Sequence, residues 1–196
     1  EGRFYHFKSS DKTSLEDIEH KFFQSLLRPV TEKAVCRYTT FDNIFLTLNH
    51  QTYRMASHIP MNDRGEVDYV DKYIGDYYKP LNSLSMVELK QMNNSFISSC
   101  TTIDKKDDLT MYRLYGDDSK GVCLCFTVID NSLRDNIIIR KISYGVSPGN
   151  HPELDLINHI VNMLITVHGI RFRFQFLDIW KHFFKSFEYA QEKEVR

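Results

Sequence analysis

The sequence is poor in the residue patterns that usually mark metal sites and disulfide frameworks. It has four cysteines in 196 residues, and no two of them form a Cys-x-x-Cys pair. Cys123 and Cys125 have no second pair beside them, and no two histidines lie four residues apart. A disulfide-rich fold is therefore excluded, and no metal site is predicted. This use of cysteine fits the reducing cytosol, so we expect a cytoplasmic protein.

Strong charge and long apolar runs are also absent. The formal net charge is −1, which does not favour binding to nucleic acid or to an anionic membrane surface. No apolar run approaches the ~18 residues that a membrane span needs, so no membrane partner is expected. The sequence has no Walker loop, no Gly-x-Gly-x-x-Gly and no Gly-x-Ser-x-Gly motif. The near-neutral charge and the lack of a metal-ligand set also argue against a nuclease or another nucleic-acid-processing domain.

Apolar and aromatic residues are plentiful enough to build a sizeable core. Hydrophobic residues make up 42% of the chain, and eleven Tyr and fourteen Phe accompany a single Trp. Apolar residues at helical spacing alternate with short period-two stretches, which predicts an α+β fold with a mixed or antiparallel central sheet and flanking helices. We expect an N-terminal helix or linker over residues 1–30 and one domain over 31–196. The main strands are predicted at residues 34–39, 96–101, 122–128, 137–142 and 192–196.

A polar turn at residues 115–121 leads directly into the most regular of these strands. Val122, Leu124 and Phe126 point to one face of that strand, and Cys123 and Cys125 point to the other. A turn rich in donors and acceptors that is fixed to a buried strand is a common way to hold a polar ligand. We expect Tyr112, Arg113 and this turn to form the rim of a cleft.

Arg37 stands in the middle of the first predicted strand, between apolar residues. A buried guanidinium needs an anionic partner, which is either a ligand phosphate or ribose, or a structural carboxylate. Asn62 lies in a turn after Pro60, where it either shapes the turn or bonds a ribose or amide group. Ser98 and Ser99 end another strand, where their hydroxyls either start a turn or line a cleft.

Two acidic residues lie in the last five positions of the sequence. If the segment is extended, Glu192 and Glu194 lie on the same face, about 6.6 Å apart at the backbone. Such a pair supports a reaction through a ribosyl cation, since one carboxylate stabilises the cation while the other takes the proton of an acceptor. The alternative is a solvated run of charges at the end of a helix.

Five segments, taken in order, carry a resemblance to a known family. They are residues 37–39, 55–63, 95–100, 111–126 and 184–196. The Lys-Gly-Val-Cys stretch and the closing Glu-x-Glu-Val-Arg are the most specific. From about residue 35 onward the chain resembles the bacterial domain of unknown function 2971 family, with Tyr112 where that family usually has Trp. That family in turn is similar to the ADP-ribosyltransferase fold.

The resemblance implies a site for NAD, used as a substrate and without a metal. It implies that Arg37 contacts the phosphates or ribose and that Ser98 or Ser99 orients the catalytic glutamate. Tyr38 or Tyr112 would stack on the nicotinamide. Glu194 would bond the ribose hydroxyl and stabilise the cation, and Glu192 would serve the acceptor.

The expected function is therefore an ADP-ribosyltransferase-like domain that cleaves NAD and transfers ADP-ribose to a protein or nucleic-acid acceptor. Such a domain would belong to a bacterial toxin, an effector delivered into another cell, or a phage-defence system. The alternative is a catalytically inactive module that binds a nucleotide or a protein.

Overall fold

The computed structural model describes residues 12–57, 69–73, 96–127, 137–169, 174 and 177–196. Its labelled helices and strands, in chain order, are α1 (Lys12–Leu26), β1 (Ala34–Thr39), α2 (Phe41–His50), β2 (Ala56–Ser57), β3 (Phe96–Ile97), β4 (Cys100–Thr102), α3 (Leu109–Tyr115), β5 (Val122–Thr127), β6 (Ser143–Tyr144), α4 (Pro152–His168), α5 (Leu177–Trp180), β7 (Phe184–Lys185) and β8 (Glu194–Val195). Short 3₁₀ helices cover Ile103–Lys105, Lys181–Phe183 and Phe187–Glu192.

A four-stranded antiparallel sheet in the order β5-β1-β4-β8 forms the centre of the molecule. β1 pairs with β5 along its full length, from Ala34 opposite Thr127 to Thr39 opposite Val122. Two smaller sheets accompany it: β2 and β3 are antiparallel, whereas β6 and β7 are parallel. The expected α+β fold with antiparallel and mixed strand pairing is confirmed, and β1 and β5 lie where the sequence predicts strands.

The largest core lies between helices and the C-terminal segment. Phe23 of α1 stacks on Trp180 of α5 with ring centroids 5.3 Å apart, and both are fully buried. Leu154, Ile157 and Val161 of α4 complete this core at helical spacing. A second, smaller core of Val35, Cys100 and Val195 lies on one face of the central sheet. The apolar burial in these two cores holds α1 and the C-terminal strand in place.

Thr40 caps α2, because its hydroxyl accepts a hydrogen bond from the Asn43 amide at 3.3 Å. Its apolar stripe does not enter either core. Phe41, Phe45 and Leu48 are each more than 60% exposed, and no residue of α2 is buried within the described structure.

Two predicted strands are interrupted. Residues 96–101 form two strands instead of one, because β3 pairs with β2 while β4 pairs with β1 and β8. Residues 137–142 form isolated bridges instead of a strand. Their amides donate to three different partners, since the Arg140 amide reaches the Arg196 carbonyl, the Lys141 amide reaches Arg28 and the Ile142 amide reaches Glu194. No continuous ladder forms between these partners.

The turn between α3 and β5 depends on a close backbone approach. Asp117, Asp118 and Ser119 all have positive φ, and the Gly121 amide donates to the Gly116 carbonyl at 2.7 Å. A Cβ on Gly121 would lie 2.2 Å from the Thr39 carbonyl oxygen. Only glycine therefore allows β5 to begin beside the end of β1.

Candidate functional site

A cavity of about 420 Å³ opens where β1 and β4 stop pairing. Pairing joins Val35 to Thr102 and Cys36 to Thr101 and goes no further, whereas β1 continues to Thr39. The backbone of β1 therefore separates from β4 and leaves a gap in the sheet. The predicted site residues that line this cavity are Arg37, Tyr38, Ser99, Glu192 and Glu194.

Arg37 of β1 lines this cavity and also a neighbouring pocket that contains Tyr53 and Arg54, and it has no carboxylate partner in the described part of the chain. Its Nη1 donates to the Arg54 carbonyl at 2.6 Å, and its guanidinium carbon lies 5.2 Å from the centre of the Tyr53 ring. The carbonyl and the ring orient the guanidinium, but neither neutralises its charge. Of the two partners that the sequence left open for Arg37, the structural carboxylate is not found among these residues.

Glu194 is buried in this site, with 5% of its surface exposed. Arg196 Nε lies 2.6 Å from its Oε1, and Lys185 Nζ lies 2.7 Å from its Oε2. Its backbone amide donates to the Tyr144 hydroxyl at 2.8 Å. We call Lys185, Glu192, Glu194 and Arg196 the charged cluster.

The charged cluster keeps Glu194 ionised. Burial raises the pKa of this carboxyl, but the positive charges of Arg196 and Lys185 oppose it, and the Ser99 hydroxyl acts in the same direction as these charges. The net pKa of Glu194 lies below its ordinary value. At neutral pH the cavity therefore holds an ionised carboxylate that two cations contact.

Glu192 belongs to the charged cluster, but its backbone conformation differs from the predicted strand. It ends a 3₁₀ helix, and Lys193 then adopts the left-handed conformation with φ 46°. The prediction that Glu192 and Glu194 share one face of a continuous strand is wrong, because Glu192 lies in a helix and Lys193 is not extended. The two carboxylates meet through Lys185, whose Nζ lies 3.1 Å from Glu192 Oε2. The Tyr115 hydroxyl donates to the other oxygen of Glu192.

Both glutamates are buried, so the alternative of a solvated charge run is also wrong. Burial of two carboxylates is tolerated because Lys185 and Arg196 neutralise them. Sequence reasoning assigned no role to either cation. The signal was nevertheless present, since Arg196 follows Glu194 at strand spacing and can reach it on the same face.

The remaining predicted residues lie beside the cavity or outside the described structure. Ser98 bonds the Tyr53 hydroxyl at 2.5 Å, so Ser99 is the serine that faces the cavity. Tyr112 packs edge-to-face on Tyr38 with ring centroids 4.7 Å apart, and it does not itself line the cavity. Arg113 is exposed on the same helix.

Tyr38 lines the cavity, but its hydroxyl donates to the Lys105 carbonyl. Tyr38 is one of the two residues predicted to stack on nicotinamide. Its ring is already oriented by this hydrogen bond and by its contact with Tyr112. From α3, Met111 and Tyr115 line the cavity instead of Tyr112 and Arg113. Asn62 lies outside the described residues.

The cysteines near the cavity are poor nucleophiles. Burial raises the pKa of the Cys36 thiol well above its ordinary range and raises that of Cys123 to about 11. Both thiols are therefore protonated at neutral pH, and a thiol is a much weaker nucleophile than a thiolate. The reactive groups of this site are its carboxylates and cations.

Comparison of the chain with protein-family models, with curated proteins and with solved structures gives no match. In the described ranges no helix has the length and apolar character needed to cross a membrane.

Proposed function

We propose that this protein is an ADP-ribosyltransferase-like domain that binds NAD and cleaves its nicotinamide–ribose bond. One observation carries the proposal: Arg37, Ser99, Glu192 and Glu194 come from three separate parts of the chain and line a single cavity. This is the Arg, Ser and Glu order that the resemblance to the ADP-ribosyltransferase fold implies. The gap between β1 and β4 gives these residues a common space.

The cavity has the size and charge for part of a dinucleotide. Its volume of about 420 Å³ lies within the usual range of small-molecule sites. Arg37, Lys185 and Arg196 bring three formal positive charges to the lining, and Glu192 and Glu194 bring two negative ones. Lys185 and Arg196 already contact carboxylates, whereas no carboxylate among the described residues neutralises Arg37, so Arg37 is the candidate for binding a phosphate. Its planar guanidinium suits two oxygens of a pyrophosphate.

The carboxylates have distinct roles in the proposed reaction. The bond between C1′ of the ribose and the nicotinamide nitrogen breaks, and its electron pair returns to the pyridinium ring. Glu194 accepts a hydrogen bond from a ribose hydroxyl and stabilises the cation that develops at C1′. The acceptor then bonds to C1′, and its proton passes to Glu192. Lys185 keeps both carboxylates in place during this sequence.

The acceptor is a protein or a nucleic acid, and the reaction uses NAD without a metal. The domain would serve as a bacterial toxin, effector or phage-defence component. These biological roles follow from the resemblance and form part of the proposal.

The decisive experiment measures nicotinamide release from NAD by the purified protein. We expect release by the wild type and a loss of about 100-fold or more in kcat for Glu194→Gln, because this change removes the charge that stabilises the cation. Glu188→Gln is the matched control, since Glu188 is exposed on the 3₁₀ helix that ends at Glu192. Its activity should equal that of the wild type.

Unfolding curves for both variants show whether Glu194→Gln remains folded. Ser99→Ala gives a second measurement that leaves the charged cluster intact, and we expect a lower kcat with little change in stability. Full nicotinamide release by folded Glu194→Gln would overturn the assignment of this residue.

A second candidate function is a nucleotide-binding module without catalysis. The observation that favours it is that Lys185 and Arg196 already contact the carboxylate oxygens of Glu194 at 2.7 and 2.6 Å. A carboxylate neutralised in this way stabilises a cation less well. Binding of NAD by the wild type, without nicotinamide release in the presence of acceptors, would select this function.

A further inference from the structure

Three of the four cysteines converge on one face of the central sheet. Cys36 of β1 lies directly opposite Cys125 of β5, and their Sγ atoms are 2.8 Å apart. Cys123 lies two residues before Cys125 on the same face, with 4.0 Å between their Sγ atoms. All three sulfur atoms lie within 4.8 Å of one another. We call Cys36, Cys123 and Cys125 the thiol cluster.

We propose that the thiol cluster is a binding site for one soft, thiophilic metal cation of the Zn²⁺ or Cu⁺ type. Thiolate sulfur is the ligand that these ions prefer. A zinc–sulfur bond is about 2.3 Å long, so sulfur ligands around one ion lie roughly 3.7–4.0 Å apart. The sulfur separations in the thiol cluster, from 2.8 Å to at most 4.8 Å, bracket that spacing.

Convergence of three thiols points to an ion more than to a disulfide. A disulfide between Cys36 and Cys125 would join residues that face each other across two strands, but it would leave Cys123 without a role. An ion uses all three sulfurs. One divalent ion bound by three thiols displaces three protons, so the product is a tri-thiolate complex with one negative charge.

The three cysteines differ in solvent exposure, so an ion can reach the thiol cluster from solvent. Cys36 is fully buried, Cys123 is partly buried and Cys125 is exposed. An ion therefore approaches from the side of Cys125, and its remaining position faces solvent. Sites with three protein ligands and an open fourth position leave room for water or an added ligand.

Cys100 provides an internal control for this proposal. It is buried in β4 on the opposite face of the sheet, because its neighbour Thr101 is the residue paired with Cys36. Its sulfur lies 3.4 Å from the Tyr53 hydroxyl and 3.7 Å from the Ser98 hydroxyl. A cysteine in this position should not affect an ion held by the thiol cluster.

The test is a titration of the reduced protein without oxygen, with Zn²⁺ in one arm and Cu⁺ in the other, each against a chromophoric chelator. We expect one equivalent of at least one ion per chain, seen also by native mass spectrometry. Cys125→Ser should weaken binding at least tenfold, and Cys100→Ser should leave it unchanged. Cys125 is exposed, so this variant is expected to fold normally, and circular dichroism checks that it does.

Three results would overturn the proposal. The first is that neither ion binds at one equivalent per chain. The second is equal weakening by Cys100→Ser and Cys125→Ser. The third is binding by Cys125→Ser that equals binding by the wild type. The titration is independent of NAD, so its outcome does not depend on the proposed transferase activity.

Discussion

The buried ammonium of Lys185 lies 2.7 Å from Glu194 Oε2, and it makes a second contact of 3.1 Å with Glu192 Oε2. One cation thus joins two carboxylates from different elements, because Glu192 ends a 3₁₀ helix and Glu194 begins β8. Removal of this cation would leave two buried negative charges with Arg196 as the remaining cation of the charged cluster. The stability of the site and its chemistry therefore depend on the same side chain.

Lys185→Met should destabilise the fold by about 3–5 kcal/mol, because breaking a buried ion pair leaves its partner buried and uncompensated. Urea unfolding measures the change. Lys193→Met is the matched control, since its ion pair with Asp104 is about half exposed on both sides. Exposed pairs contribute ~0–1 kcal/mol, so this variant should change stability little. Equal effects from the two variants would contradict the described burial of Lys185.

The stability that Glu194 contributes should depend on pH. Its pKa is lower in the folded protein than in the unfolded chain, so the contribution is present above the unfolded pKa of about 4.3. It is lost as the pH falls through the folded pKa. We expect the difference in unfolding free energy between the wild type and Glu194→Gln to be constant near neutral pH and to shrink on acidification. A difference that grows as the pH falls would show that the pKa is raised instead.

Arg37→Met should weaken NAD binding by about 10-fold to 100-fold, the usual range for a lost hydrogen bond to a charged group. The thermal midpoint should move little, because Arg37 has no carboxylate partner in the described structure. Isothermal titration with NAD measures the binding. Arg113→Met is the control, since Arg113 is exposed and does not line the cavity. Unchanged binding by Arg37→Met would remove Arg37 from the site.

Gly121→Ala should destabilise the protein by about 1–3 kcal/mol, because the added Cβ would overlap the Thr39 carbonyl oxygen and force the strands apart. The neighbouring Lys120 is exposed, so Lys120→Ala should stay within ~0.5 kcal/mol of the wild type. Chemical unfolding of the two variants provides the comparison. A neutral Gly121→Ala would mean that β5 can begin further from β1.

Local patterns predicted the elements whose signal is contained in adjacent residues. Residues 34–39 and 122–127 lie in predicted strands and form β1 and β5, and α4 carries Leu154, Ile157 and Val161 at helical spacing. The break at Ser98 and Ser99 was not predictable in this way, because it arises from a change of pairing partner. Likewise the isolated bridges within 137–142 depend on two distant segments, residues 28–29 and 194–196.

For the candidate site as well, the sequence predicted residues with a local signal but not the contacts between distant segments. The sequence singled out Arg37, Ser99, Glu192 and Glu194, because polar groups inside predicted strands are unusual. It did not reveal Lys185 as their shared partner, since the parallel pairing of β6 and β7 that positions Lys185 joins residues about forty apart in sequence. It also overlooked Cys36 as a neighbour of Cys123 and Cys125, which follows from the register of β1 against β5. The left-handed conformation of Lys193 was not predictable either, because lysine is not a residue that favours positive φ.

The cavity exists because β1 extends three residues past its last pair with β4. Its location is therefore set by strand length and register, whereas its chemistry is set by side chains that several other segments supply. Substitution of Arg37 or Ser99 can change which ligand is accepted without closing the space. Extension of β4 along Arg37 and Tyr38 would fill the space with backbone hydrogen bonds, whatever acids the chain carried. Ligand preference and the presence of a site are thus free to change separately in this fold.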